Sequence, residues 1–251
     1  TVVVDDGRIF GIGGRVGNPK MPGSTSMSSL NKSRDCWTTE PEMVERRTRP
    51  GVAFVNGMIY VIGGADGTTG LGSTEVFDVK KGIWLPIDTV PKMPTTRCDM
   101  GVVVIGNQIF TIGGYNLAEE TTCYNVEVLD TLTNTWSNRS CLPNARSGPG
   151  FCSYENNFIF IFGGTEQSPI VWETTQVYDV EKDEWTVPTE YLPSPRCNCC
   201  VVVVGWKIWI IGGYNMTGRL ETIDIFNPET LTTEPGPQMK IPRMWFGAAL
   251  C

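Results

Sequence analysis

The sequence predicts an all-β fold, a β-propeller of four-stranded antiparallel blades, and three observations lead to this prediction. A short apolar run that ends in two glycines recurs five times. The first glycines of the pairs are Gly13, Gly63, Gly113, Gly163 and Gly212, at steps of 50, 50, 50 and 49 residues. A tryptophan closes three of the repeats in one register, at Trp84, Trp136 and Trp185. Charged residues make up only 19% of the chain while glycine is frequent, which favours β structure over helices.

Each repeat contains signals for four strands, taken in order. The first strand is an apolar run such as residues 52–55, and the second is the run that ends in Gly-Gly. The third alternates apolar and polar residues, as in residues 74–79, and the fourth contains the tryptophan. A twisted four-stranded sheet cannot bury both of its faces alone, but it can do so between two radial neighbours.

The residues that recur at the ends of strands are expected to be structural. Glycine pairs permit backbone conformations that other residues avoid, and each tryptophan is expected to pack between blades. Trp37 occupies the tryptophan position of the first repeat, and Thr233 that of the fifth. The predicted structural residues are Gly13, Gly14, Gly63, Gly64, Gly113, Gly114, Gly163, Gly164, Gly212, Gly213, Trp84, Trp136 and Trp185.

The repeats predict a single propeller domain over residues 1–251. The repeats cover about residues 1–46, 47–96, 97–145, 146–195 and 196–242, and residues 243–251 begin a further blade. Gly247 matches Gly51 and Gly101, so a further first strand would start there. We therefore expect a six-bladed parent of which part lies outside this chain. The alternative is a five-bladed ring whose C-terminal segment pairs with, or displaces, the N-terminal strand.

These motifs resemble the kelch repeat, and most of all the kelch domains of BTB-BACK-kelch ("kelch-like") proteins. Phe77-Asp78 is followed by Trp84, then by Met93-Pro94 and Arg97, in the order typical of that family. Tyr178-Asp179, Trp185, Leu192-Pro193 and Arg196 repeat the order. The resemblance covers the whole chain. Its departures are the missing tryptophan of the fifth repeat and the Ser/Gly/Pro-rich stretch of residues 17–29.

Two sets of residues are candidates for partner binding. Arginines lie four residues before the aligned start of each first strand, where they are expected to ring one mouth of the channel and bind carboxylates or phosphate. They are Arg47, Arg97, Arg146, Arg196 and Arg243. The alternative is that each arginine pairs with backbone carbonyls or with a carboxylate between blades. The loops after the glycine pairs vary in length and carry Tyr115, Asn116, Tyr214 and Asn215, residue types suited to interfaces.

Several function classes are disfavoured by composition. The net charge of −7 argues against binding to nucleic acid or to an anionic membrane. The chain has no histidine, which removes the commonest general base and most zinc and copper ligand sets. We therefore expect no catalytic residue, no metal and no cofactor. Cys197 and Cys200 form a lone Cys-x-x-Cys without a second pair, so we read them as small buried residues; a redox role for Cys197 beside Arg196 is the alternative.

The resemblance implies a protein-interaction domain. In kelch-like adaptors the propeller holds a substrate, often through an acidic segment, for a cullin-RING ubiquitin ligase that is engaged by other domains. An actin-binding or other cytoskeletal scaffold is the alternative, and a propeller enzyme is disfavoured by the missing histidine. Nine cysteines at irregular spacing fit a reducing, cytoplasmic location better than a disulfide framework, although three Asn-x-Ser/Thr triplets point the other way.

Overall fold

A computed structural model of the chain describes residues 1–15, 21–31, 35–167, 169–248 and 250. These residues form five four-stranded antiparallel sheets that are arranged as propeller blades. In the order of their strands, the first blade contains β1 (Val2–Val3), β2 (Ile9–Ile12), β3 (Met27–Asn31) and β4 (Cys36–Glu40), and the second contains β5 (Gly51–Val55), β6 (Met58–Ile62), β7 (Thr74–Asp78) and β8 (Ile83–Trp84). The third blade contains β9 (Gly101–Ile105), β10 (Gln108–Ile112), β13 (Val126–Asp130) and β14 (Thr135–Arg139). The fourth contains β15 (Gly150–Tyr154), β16 (Phe158–Phe162), β17 (Thr175–Asp179) and β18 (Glu184–Thr186), and the fifth contains β19 (Cys200–Val204), β20 (Lys207–Ile211), β23 (Ile223–Asn227) and β24 (Thr232–Pro235).

Smaller elements decorate this framework. Two-stranded ribbons follow the glycine pairs of the third and fifth blades, formed by β11 (Tyr115–Asn116) with β12 (Thr121–Thr122) and by β21 (Tyr214–Asn215) with β22 (Gly218–Arg219). One turn of 3-10 helix covers Ile87–Thr89. Within the described ranges, no helix is long and apolar enough to cross a membrane.

The blades bury their faces against each other, as the sequence predicts for a propeller. The first strands β5, β9, β15 and β19 lie side by side around the central channel. Four of the five residues of β6 are buried, and all five of β7, because neighbouring blades cover both faces. One core cluster joins Phe10 and Ile12 of the first blade to Ile59 and Phe77 of the second. The predicted fold class is confirmed.

The repeated tryptophans connect each blade to the one before it. The indole nitrogens of Trp84, Trp136 and Trp185 donate hydrogen bonds to the main-chain oxygens of Pro41, Pro91 and Ser140, at 2.8, 2.9 and 2.8 Å. Each acceptor lies in the connection that leaves the preceding blade. These tryptophans are half-buried, and each lies at the seam between two blades.

The first and fifth blades differ from the others because each has one face that no blade covers. Along β20 and β23 of the fifth blade, buried residues alternate with half-buried ones. Trp37 of the first blade is 58% exposed, unlike the three tryptophans at the seams. Gly247 lies against Thr1, and the Ala248 amide donates to the Cys200 Sγ at 3.1 Å, so this segment runs between the first strands of the two blades.

The expected further strand at residues 247–251 is not formed in the described part of that segment. Residues 246–248 lie in no strand, and residues 249 and 251 fall outside the described residues. Residues 17–20 of the Ser/Gly/Pro-rich stretch also fall outside them.

Candidate functional site at one end of the propeller

Four of the five predicted arginines lie inside the seams between blades. Arg47, Arg97, Arg146 and Arg196 are at most 1% exposed. In each, Nη1 donates to the main-chain oxygen of the first glycine of a pair, at 2.8 Å for Arg47 and Gly63, and at 2.7 Å for Arg146 and Gly163. The expectation that these guanidinium groups ring an open mouth is wrong. These arginines instead follow the alternative, in which each pairs with backbone carbonyls or with a carboxylate between blades.

Each of these arginines joins two blades. The side chain binds the blade that follows, while the main-chain oxygen accepts a hydrogen bond from the second glycine of the blade before. Gly64 donates to Arg97 at 3.0 Å, and Gly114 donates to Arg146 at 2.7 Å. The arginine and the glycine pair are therefore one structural unit, which positions the loops at this end of the propeller.

A carboxylate accompanies three of the four buried arginines. Glu75 accepts from Arg47 at 3.1 Å, Glu127 accepts from Arg97 at 2.7 Å, and Asp224 pairs with Arg196. These carboxylates occupy equivalent positions on the third strands of their blades. Burial lowers the pKa of Arg97, and the charge of Glu127 opposes this shift.

Arg146 has no such partner, because the fourth blade carries Gln176 at the equivalent position. Burial lowers the pKa of Arg146 to about 10, and only the more distant Glu166 opposes the shift. Nε of Arg146 and Oε1 of Gln176 are both buried without a hydrogen bond within the described residues. The fourth blade therefore holds a buried cation without a directly bonded anion.

Replacing Gln176 with glutamate is expected to stabilise the protein. Q176E would give the buried Arg146 guanidinium the carboxylate partner that the equivalent arginines have in three other blades. A hydrogen bond to a charged group contributes about 1.5–3 kcal/mol. We expect the free energy of unfolding, measured by urea denaturation, to rise by about 1 kcal/mol or more. The reciprocal variant E127Q should lower it. A loss of stability in Q176E would contradict this account of Arg146.

Arg243 differs from its four equivalents and is exposed. Its main chain keeps the pattern, since its oxygen accepts from Gly213 at 2.8 Å. Its guanidinium makes no hydrogen bond within the described residues, where no blade follows the fifth. Of the predicted arginine set, Arg243 alone presents its charge to solvent.

A series of four backbone hydrogen bonds runs around the channel at this end, from Arg49 to Trp245. The residue two positions after each arginine has a left-handed backbone, with φ between 51° and 59°. Successive residues of this series bond to each other across the seams, at N···O distances of 3.3, 2.8, 2.7 and 3.1 Å. We call these residues the mouth ring; they are Arg49, Asp99, Gly148, Asn198 and Trp245.

The side chains of the mouth ring differ from blade to blade. Arg49 Nη1 and Asp99 Oδ2 form an ion pair at 2.7 Å, and burial raises the pKa of Asp99 although Arg49 opposes this. Trp245 is 60% exposed. The ring opens onto a channel cavity of about 370 Å³ that is also lined by Phe151 and Val201. Sequence reasoning missed this ring, because its five residue types share no chemistry; only their fixed distance from the arginines could have identified it.

The predicted loop residues lie at the same end and divide into two kinds. Asn116 and Asn215 are 5% and 7% exposed, and their Oδ1 atoms accept hydrogen bonds from main-chain amides two residues ahead. They shape the turns of the ribbons and present little surface to a partner. Tyr115 and Tyr214 are half-buried, and their main-chain atoms pair with Cys98 and Cys197, directly beside the mouth ring. Binding by the two tyrosines stays a prediction.

Tyr115 also borders a groove between the loops of the third and fourth blades. The Thr122 hydroxyl donates to the main-chain oxygen of Glu166 and joins the two loops. The cavity has a volume of about 340 Å³. We call it the inter-loop groove; it is lined by Tyr115, Glu120, Thr122, Ser147, Thr165, Glu166 and Gln167.

The cysteines near the mouth ring are protonated at neutral pH. Cys197 is 4% exposed, and burial raises the pKa of its thiol to about 11. Burial likewise raises the pKa of Cys98 and of Cys199 to about 12. A buried, protonated thiol is a poor nucleophile, so the redox role for Cys197 is not supported. In the described part of the chain, no cluster of histidine, cysteine and carboxylate side chains suits a metal ion.

Comparison with known proteins shows relatives with similar sequences. The chain is 29% identical over 196 residues to Kelch repeat and BTB domain-containing protein 1 of camelpox virus (strain CMS), covering 76% of this chain and 33% of that protein. It is 30% identical over 191 residues to the cowpox virus (strain Brighton Red) protein of the same name, covering 74% and 32%. Kelch-like protein 15 of Homo sapiens is 23% identical over 271 residues, covering 97% and 43%.

The chain spans about a third of the length of the first two of these relatives. The family described as the KLHDC2/KLHL20/DRC7 Kelch-repeats domain matches residues 1–190 and 101–251, which together include the whole chain. Together with the five blades and their glycine pairs, this match assigns the chain to the Kelch-repeat β-propeller family, whose members generally act as protein-interaction domains.

Proposed function

We propose that this propeller is the substrate-recognition domain of a kelch-like adaptor for a cullin-RING ubiquitin ligase, and that it holds its partner protein against the mouth ring and the adjoining loops. The observation that carries the proposal is the contrast between two sets of positions. Glycine pairs and buried arginines repeat from blade to blade, while the neighbouring mouth-ring side chains differ in every blade. Variable side chains on a rigid scaffold are the usual basis of recognition.

The exposed aromatic residue at this end supports the proposal. Trp245 lines the same channel cavity as the Arg49–Asp99 ion pair, and aromatic residues and arginine are the residue types enriched at interaction hot spots. No acidic partner is needed to match this surface, because four of the five arginines that suggested one are buried. Only Arg243 remains exposed among them.

The partner-binding part of the proposal is tested by comparing two exposed tryptophans at opposite ends. Trp245 belongs to the mouth ring, whereas Trp206 lies in the hairpin turn between β19 and β20 and is 54% exposed. In partner capture from cells followed by quantitative mass spectrometry, we expect W245A to lose the specific partners about tenfold or more, since a central hot spot contributes about 2 kcal/mol. W206A should retain them. Equal retention by both variants would exclude the mouth ring as the binding surface.

The ligase part depends on domains outside this propeller, and two of the relatives named above carry BTB in their names. We expect the full gene product to co-purify with a cullin while the propeller alone does not. Failure of the full-length protein to bind a cullin would remove the ligase role and leave partner binding intact. Co-sedimentation of the propeller with actin filaments would favour the scaffold alternative.

Free thiols at Cys36, Cys98, Cys123 and Cys141 support a reducing, cytoplasmic location.

The uncovered faces of the first and fifth blades support the six-bladed arrangement that the repeats suggest. A sixth blade at this position would provide the glycine carbonyl that Arg243 lacks and would cover Trp37. We expect hydroxyl-radical labelling of Trp37 to fall in a longer chain that includes another repeat, while labelling of Trp206 stays unchanged. Equal labelling of Trp37 in both chains would favour the five-bladed alternative.

A further inference from the structure

We propose that the inter-loop groove takes a cationic side chain, a lysine or arginine of the partner protein. This inference rests on the proposed function and specifies the chemistry of the partner. A cationic partner group differs from the acidic partner expected from the sequence, because four of the five arginines that suggested an acidic partner are buried. The groove supplies charge, hydrogen-bond acceptors and an aromatic wall.

Carboxylates supply the charge of the groove. Glu120 is exposed on the ribbon of the third blade, and Glu166 is half-buried on the facing loop of the fourth. Among the residues that the structure describes, no lysine or arginine lines the groove. The nearest buried cation is Arg146, which lies in the seam behind Glu166 and balances at most one of the two carboxylates. The groove therefore keeps an excess negative charge.

A serine hydroxyl supplies a second and independent feature. Ser147 lines the groove and is only 8% exposed. Its main chain is fixed by two hydrogen bonds with Thr165, at 2.8 and 2.9 Å. Its hydroxyl makes no hydrogen bond to another of the described residues, so its oxygen can accept one from a bound group. An ammonium or guanidinium group in the groove would donate to this oxygen and to the two carboxylates together.

Shape and position also fit a long cationic side chain. The volume of about 340 Å³ exceeds that of one amino-acid side chain, and Tyr115 forms part of the wall, where its ring can pack against a methylene stem or a guanidinium plane. Ser147 directly precedes Gly148 of the mouth ring. A partner that lies across the mouth ring can therefore insert one side chain into the groove.

The test compares arginine with its neutral isostere. The probes are N-acetyl-arginine amide and N-acetyl-citrulline amide, titrated into the isotopically labelled protein and followed by amide chemical shifts. We expect the arginine probe to shift the Ser147 and Thr165 amides and the citrulline probe to leave them nearly unchanged. Binding of the arginine probe should weaken as salt is raised, since the screening length falls from about 10 Å at 0.1 M to about 3 Å at 1 M. Equal shifts with both probes would overturn the proposal.

Variants locate the site and separate this inference from the proposed function. E120Q/E166Q should raise the dissociation constant of the arginine probe about fivefold or more, within the range expected for the loss of two exposed charge pairs. E119Q, on the same ribbon but outside the groove lining, should leave it unchanged, and thermal unfolding of all variants checks folding. In parallel, peptides selected from a random library should be rich in lysine and arginine. Peptides that bind the mouth ring without basic residues would refute the groove inference alone, whereas absence of any binding peptide would count against the proposed function.

Discussion

Replacing Arg97 with methionine is expected to lower the free energy of unfolding by about 3–5 kcal/mol, the range measured when one partner of a buried ion pair is removed. The Arg97 guanidinium donates to the main-chain oxygens of Gly113 and Asn125, at 3.1 and 2.9 Å, and to Glu127 at 2.7 Å. Without it, the Glu127 carboxylate would remain in the seam, and Thr95 would be its one remaining partner among the described residues. Urea denaturation of R97M gives the value.

Arg46 provides the matched control for this change. It neighbours a buried arginine in sequence but is itself exposed, so R46M should alter stability by no more than about 0.5 kcal/mol. The double variant R97M/E127M should recover part of the loss, because it removes the unpaired charge as well. If R97M and R46M proved equally stable, the arginines would not be the links between blades that their contacts indicate.

The second large effect is expected at Gly113. Its backbone has φ of 60°, and an added Cβ would lie 2.4 Å from the main-chain oxygen of Arg146. That oxygen already accepts the Gly114 amide, so the clash would disturb the bond that joins the third and fourth blades. The left-handed backbone alone costs an alanine about 1–2 kcal/mol, and the clash adds to it. We expect G113A to lose at least about 3 kcal/mol in urea denaturation.

Gly106 isolates the two contributions. Its φ of 58° nearly equals that of Gly113, but a Cβ there would meet nothing within 4 Å. G106A should therefore lose only the backbone contribution of about 1–2 kcal/mol. The difference between the two variants measures the clash with Arg146. A G113A loss no larger than that of G106A would show that the seam adjusts without cost.

These results would bear on function as well as on stability. The glycine pairs and the arginines hold the connections that carry the mouth ring. Loosening a seam is therefore expected to displace mouth-ring side chains, although these side chains are not part of the seam. Variants such as R97M must therefore be checked for folding before any loss of partner binding is assigned to the site. W245A is the more direct probe, since Trp245 is 60% exposed.

The recurring arginines show where sequence reasoning reached its limit. Their register correctly placed them at the entry to each first strand, but the same register is expected for a ligand-binding ring and for a structural clamp. The decision depends on where the guanidinium points, and that is set by the carbonyls of the following blade. Arg243 confirms this dependence, because it occupies the equivalent position but has no following blade to bind, and its side chain is exposed.

By itself, the sequence determined the all-β class, the four strands of each repeat, the glycine pairs and the tryptophan seams. These features give local signals, namely apolar periodicity, turns that require positive φ, and a constant step of about 50 residues, and each can be read from the order of residues along the chain. Only the tertiary structure decided which polar residues are buried, which five side chains form the mouth ring, and that two carboxylates and Ser147 share a groove. The physical reason is that these features arise between blades, where residues about 50 positions apart meet, and neither burial nor hydrogen bonding across a seam is encoded in either repeat separately.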